Sequence, residues 1–203
     1  MIDLGVEWAG EGWKDGVVDA EVAALPKHRD RWLVNTCVLL APGSDCVLSV
    51  YERRQGQLRT VLVLRNDGYA SITGAMHALQ VTASPPDARD GFYVLEAHTF
   101  PWPSSRFRQF TYRAFALGAT PDQPVFLGGA AAYGDWMNGF ELSAEERSFS
   151  VGFDVMSEKL PDLAAPVVHR FRRSGARFVP ATPGVDVLPP AGTWPNSASA
   201  KSP

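Results

Sequence analysis

The sequence predicts an all-β fold, an antiparallel up-and-down barrel of about ten strands with a short N-terminal helix. Three observations predict it. Short runs rich in Val, Leu, Thr and aromatic residues follow one another from Arg31 to Arg173, each bounded by turn residues. Most links between them are of hairpin length. No helices alternate with them at the spacing that a parallel sheet needs. A two-sheet β-sandwich or jelly roll is the alternative, because the Pro-rich loops near 84–90 and 101–105 would supply its longer crossovers.

Asp15 to Leu25 reads as the helix: Val18, Val22 and Leu25 follow helical spacing, and Asp15 supplies a cap. Trp32 to Leu40, Cys46 to Tyr51 and Leu58 to Leu64 read as strands, turned by Pro42-Gly43-Ser44 and Gln55-Gly56. Asn66-Asp67-Gly68 leads into Tyr69 to Thr73, since Asp-Gly accepts the positive φ of a tight hairpin. His77 to Ala83 extends or restarts that strand. Phe92 to Thr99 follows the next loop, and Arg106 to Leu117 follows Pro101-Trp102-Pro103, whose prolines remove ladder donors. Pro124 to Leu127, Gly134 to Met137 and Phe140 to Leu142 are short strands. Phe149, Val151, Phe153 and Val155 alternate with Ser150, Gly152 and Asp154. Val167 to Arg173 closes the body. One domain is therefore expected over residues 1–179, followed by a flexible tail rich in Pro, Ser and Ala over 180–203. An arm docking through Val185, Val187, Leu188 and Trp194 is the other reading of that tail.

Composition excludes several classes. The 203 residues are 45% hydrophobic and 20% charged, as in an ordinary soluble domain. Nineteen basic and 22 acidic residues give a net charge of −3, which argues against a nucleic-acid partner. No apolar run reaches the length of a membrane helix, so no membrane partner is expected. The N-terminus shows no basic region followed by an apolar stretch, so the expected location is cytoplasmic. Cys37 and Cys46 flank the Pro42-Gly43-Ser44 turn. A hairpin centred there sets 37 opposite 48 and 39 opposite 46, which offsets the cysteines and leaves them as reduced thiols.

Motifs of nucleophilic, zinc-protease, phosphate-loop and dinucleotide chemistry are absent. The four histidines are far apart in sequence. Glu96 and His98 share one strand face, which reads as a partly exposed polar face or, with His77, as a metal site. No metal is expected. His169 shares parity with Val167 and Phe171, so it points inward if they do. An inward histidine is a core residue, a ligand contact or an acid/base. Arg106 to Arg113 interleaves arginines with aromatics. An inward arginine there would pair with a ligand carboxylate.

Trp8-Ala9-Gly10-Glu11-Gly12 resembles the W-x-G-x-G opening of nitrobindin-like proteins, relatives of the lipocalins and fatty-acid-binding proteins (the calycin barrels). Phe149 to Met156 and His169 to Arg173 resemble that family's closing strands. The resemblance implies a closed barrel with an apolar interior, and at His169 a haem-ligating histidine. The residues themselves imply no cofactor.

The function expected is binding of a small hydrophobic or aromatic ligand, with Arg108, Tyr112, Arg113, Trp136, Phe153 and His169 around it. Two other functions stay open. One is a structural or assembly subunit, including a homo-oligomer. The other is an isomerase, cyclase or lyase in which His169 or Glu96 moves a proton.

Overall fold

The computed structural model describes residues 17–25, 28–40, 43–65, 77–87, 91–99, 107–135, 140–157 and 164–189. These form twelve antiparallel strands and no helix. No helix is long and apolar enough to cross a membrane among the described residues.

The strands make three four-stranded sheets, not one closed wall. The first holds β1 (Val17–Ala24), β2 (Arg31–Leu40), β3 (Gly43–Arg54) and β4 (Gln57–Arg65) in sequence order. The second holds β5 (His77–Ala83), β6 (Tyr93–Thr99), β7 (Phe107–Ala116) and β8 (Val125–Asp135). The third holds β9 (Glu141–Ala144), β10 (Ser148–Met156), β11 (Ala164–Ser174) and β12 (Arg177–Pro180). Each sheet is a meander, which is why hairpin-length links dominate the sequence.

The barrel gives way to stacked layers because the middle sheet is apolar on both faces. One face sends Tyr93, Leu95, Ala97, Phe110, Tyr112 and Ala114 against Phe149, Val151, Phe153, Phe171 and Phe178 of the third sheet. Phe149 and Phe171 stack at 4.5 Å, and Phe110 meets Phe153 edge-on at 5.0 Å. Each such buried side chain contributes about 1.5–3 kcal/mol by leaving water. The other face sends Ala83, Val94 and Phe115 against Leu48, Val50, Leu62 and Leu64 of the first sheet, with Leu25 and Phe92 at its margin. β6 is consequently buried on both sides from Tyr93 to His98.

Polar contacts tie the layers together. Arg31 bonds Glu52 at 2.7 Å, donates to His28 Nδ1 at 3.1 Å, and lies 4.5 Å over the Phe92 ring. His28 Nε2 then donates to the Ser84 carbonyl at 2.9 Å. Between the second and third sheets, the Tyr93 hydroxyl reaches the Glu145 and Ser148 carbonyls at 2.8 and 2.6 Å. Gln80 of β5 accepts from the Leu142 amide of β9 at 3.0 Å. At the opposite edge β8 passes close to β12. A Cβ on Gly128, whose φ is +147°, would meet the Phe178 carbonyl oxygen at 2.9 Å, so glycine alone suits that crossing.

Several sequence expectations change. The expected helix is β1: its β-branched Val17, Val18 and Val22 pair with Leu39, Val38 and Val34 of β2, and pairing overrides the helical spacing. Val125 to Leu127 and Gly134 to Asp135, from two expected runs, fall in one strand, β8, while residues 136 and 137 lie outside the described residues; β12 forms beyond the Gly175-Ala176 turn. Tyr69 to Thr73 lies outside the described residues. Of the expected tail, Pro180 belongs to β12, Ala181 and Thr182 bond Arg170 of β11, and Asp186 to Leu188 run along β8 of their own chain. The Leu188 amide donates to Gly129 at 3.0 Å, the Ala131 amide to Asp186 at 3.3 Å, and Val187 bridges Ala130.

The cysteine expectation is also overturned. The β2–β3 ladder runs down to Leu40 opposite Gly43, two residues tighter than a turn centred on Pro42-Gly43-Ser44. Cys37 therefore stands directly opposite Cys46. Cys46 is disulfide-bonded, no cysteine is free among the described residues, and Cys37 is the only other cysteine in the sequence.

Candidate functional sites on the two faces of the middle sheet

β7 alternates, so neighbouring residues serve different layers. Phe110, Tyr112 and Ala114 face the third sheet, while Thr111, Arg113 and Phe115 face the first. The predicted ligand residues divide accordingly.

On the third-sheet side, Tyr112, Phe153 and His169 come together. β11 carries His169 opposite Val151 of β10, with Phe171 two residues on and buried, so the inward parity of His169 holds. Its ring meets Phe153 edge-on at 4.9 Å. The Tyr112 hydroxyl lies 2.6 Å from His169 Nδ1. Tyr112 is fully buried, and burial raises its pKa, so the phenol keeps its proton. That proton has no other acceptor among the described residues, so Tyr112 donates and Nδ1 accepts. Burial also lowers the His169 pKa, so the ring is neutral at neutral pH. The neutral ring then carries its own proton on Nε2, which has no partner among the described residues.

This imidazole is half-buried for a structural reason. β12 ends at Pro180 opposite Phe171, so the inward residues His169 and Val167 lie past its end and have no β12 neighbour. The margin beside them is edged by Phe153, Tyr112 and Val167. A haem iron would take the Nε2 lone pair with Nδ1–H turned to the Tyr112 oxygen, the reverse of the tautomer that the buried phenol favours.

On the first-sheet side, Arg113 meets Glu96 and His98. Glu96 stands opposite Arg113, and His98 opposite Thr111, on adjacent rungs of the β6–β7 ladder. Glu96 Oε1 lies 2.8 Å from both Arg113 Nη2 and His98 Nε2. Glu96 is 1% exposed and His98 5%, so the partly exposed polar face expected from sequence is an interior one. It is covered because a further sheet packs there, which local sequence does not announce. Burial alone would raise the Glu96 pKa, but His98 and Arg113 outweigh it and hold the carboxyl below its ordinary value. Arg113 thus pairs with the protein's own carboxylate.

The two contacts to Oε1 are close but bent, and neither is a well-aligned hydrogen bond. Arg113 Nη2 also lies 3.2 Å from His98 Nε2. A carboxylate oxygen at 2.8 Å requires a proton on Nε2, so the two nitrogens are donors converging on one oxygen. Among the described residues no three His, Cys, Asp or Glu side chains gather as a metal site. The side chain of Arg108, the side chain of His77 and the whole of Trp136 lie outside the described residues. The sequence does not single out Thr111, and it offers His98 a role only as part of a metal site with His77 and Glu96. The signal that could have found them is the pairing of Glu96-x-His98 with Thr111-x-Arg113 on neighbouring strands.

Comparison of the chain with protein-family models, with curated proteins and with solved structures gives no match.

Proposed function

We propose that this protein binds a small apolar, largely aromatic molecule that carries one hydrogen-bond acceptor. The observation that carries this reading is the His169 Nε2–H, fixed in its tautomer by Tyr112 and set at the margin where β12 ends. An apolar site with one oriented polar group is the usual chemistry of small-ligand recognition. Phe153 and Tyr112 offer ring edges to an aromatic ligand, and Nε2–H selects a carbonyl, ether or carboxylate oxygen. The neutral ring leaves the ligand's own charge unspecified. No cofactor enters this reading. A disulfide persists in oxidising compartments, so the same reading places the working protein in one rather than in the reducing cytoplasm.

Native mass spectrometry of protein purified from its source tests this together with titration of the environment-sensitive dye 8-anilinonaphthalene-1-sulfonate. A co-purified small molecule that competes with the dye, with both bound about tenfold more weakly by His169→Phe, is the expected result; one hydrogen bond is worth about that factor. Dye and ligand affinities indifferent to His169→Phe would overturn it.

A second reading, a subunit of a larger assembly, is favoured by β1. This edge strand pairs only with β2 among the described residues, and Ala20 to Ala24 are exposed. Light scattering after size exclusion separates the two, since a stable monomer excludes it.

A further inference from the structure

β1 has an edge that the rest of the described chain leaves open. It pairs with β2 through eight consecutive rungs without a bulge, and among the described residues its other side has no partner strand. The other outer strands each touch another part of the chain. Asp186 and Leu188 bond β8, the Val63 amide of β4 donates to the Pro121 carbonyl, and Gln80 of β5 takes the Leu142 amide of β9. β12 lies against β8 at Gly128. Open edges are usually blunted by lysine, proline or a bulge. β1 reads VVDAEVAA and carries none of these. Ala20 to Ala24 are all exposed, so both faces of the strand are bare there, and Val22 at the centre of the run is 64% exposed.

Resting on the assembly reading above, we propose that the occupant of this edge is β1 of a second copy of the chain, antiparallel, with the two-fold axis at Val22. The register follows from geometry and charge. Directly opposite residues of an antiparallel pair point to the same face, and a two-fold axis between two such strands stands normal to the sheet. Paired residue numbers then share parity, and the axis passes through one residue. An axis at 21 brings the two Glu21 carboxylates together, and an axis at 20 sets Asp19 opposite Glu21; like charges directly opposite are destabilising. An axis at 23 sets Glu21 opposite Leu25, which is 4% exposed and gives its amide to Arg31 instead, so only 22–24 remain to pair. An axis at 22 uses the whole exposed run: Val22 meets itself, Ala20 faces Ala24, and Glu21 faces Ala23. No acid then opposes an acid, and the two first sheets join into one of eight strands. A strand pair of this length is small beside the roughly 1,200–2,000 Å² buried in stable interfaces, so the dimer dissociates on dilution.

Light scattering of the full chain, native disulfide intact, over a dilution series should show a monomer–dimer equilibrium. Val22→Lys sets two like charges on the axis and should abolish the dimer. It should leave the circular dichroism spectrum unchanged, because that side chain is exposed. Val22→Cys should form a covalent dimer under mild oxidation. Glu21→Cys and Ala23→Cys should each fail to do so alone, being two residues out of step and so beyond the about 7 Å Cα separation that a disulfide spans. Mixed together, they should link. A monomer at every concentration overturns this proposal and the assembly reading together. A dimer that survives Val22→Lys, or in which Ala23→Cys links to itself as readily as Val22→Cys, overturns the proposal alone and leaves the assembly reading standing. The cysteine series decides it even if Val22→Lys fails to fold.

Discussion

Removing the Arg113 guanidinium should show how the middle sheet tolerates charge in its interior. In Arg113→Met the stem is replaced by a side chain of similar length, but Glu96 loses one of its two partners at 2.8 Å. Breaking a buried pair by deleting one member costs about 3–5 kcal/mol, because the other charge is left desolvated. Here Glu96 is desolvated almost completely, but the Arg113 side chain is 26% exposed and His98 stays in place. The lower end of that range applies, about 3 kcal/mol. Urea unfolding at pH 7, followed by circular dichroism, should shift its midpoint down by about 1 M or more, given a slope of about 1–3 kcal/mol per M. The sign of the pH dependence is a second, independent signature. In the wild type the Glu96 pKa is lowered on folding, so its stabilisation is present above the unfolded value of about 4.3 and is lost as pH falls through the folded value. In Arg113→Met burial is less opposed, the folded pKa rises, and the deficit against wild type shrinks on acidification. The double variant Glu96→Leu, Arg113→Met should recover most of the loss, since apolar replacement of a buried pair is often neutral. A single variant within about 0.5 kcal/mol of wild type, the scatter of ordinary surface changes, would refute the reasoning. So would a deficit that does not change with pH.

Two further predictions concern the other features. Reducing the disulfide opens a loop of about ten residues and should cost about 2.5–3 kcal/mol at 25 °C; urea midpoints with and without a phosphine reductant check this, and coincident curves would contradict it. His169 has its pKa lowered by burial, so its contribution to stability is full above the unfolded value of about 6.5 and declines as pH falls below it. Stability curves of wild type and His169→Phe should therefore converge on acidification between about pH 7 and 5, and parallel curves would contradict the buried neutral ring.

The parts of this fold with one dry and one wet face were readable from sequence. β10 buries Phe149, Val151 and Phe153 while its alternate residues reach outward, and the period of two announced it. His169 inherited its inward direction from Val167 and Phe171 on the same argument. β6 was readable as a strand but not as a central one. Its Glu96 and His98 looked like a solvent face, because only the stacking of a sheet distant in sequence makes that face an interior. The cysteine pair failed for a different reason. One turn tightened by two residues changes every partner in the hairpin, and nothing local in Ala41-Pro42-Gly43 decides between the two lengths. β1 failed because its spacing satisfied both periods, and only its pairing with β2 decided between them. The divided fate of Tyr112 and Arg113 follows from these same facts, since adjacent strand residues serve opposite layers once both faces are covered.

The short run from Val185 to Leu188 bears on how the molecule avoids sticking to itself. β8 lies at the outer boundary of its sheet, where bare amides and carbonyls invite a foreign strand. The chain's own later residues occupy Gly129 and Ala131 there, like a selvedge woven back onto cloth. A polypeptide ending at Pro180 would keep all twelve strands yet present that boundary unhemmed, and its loss would appear as precipitation rather than as unfolding.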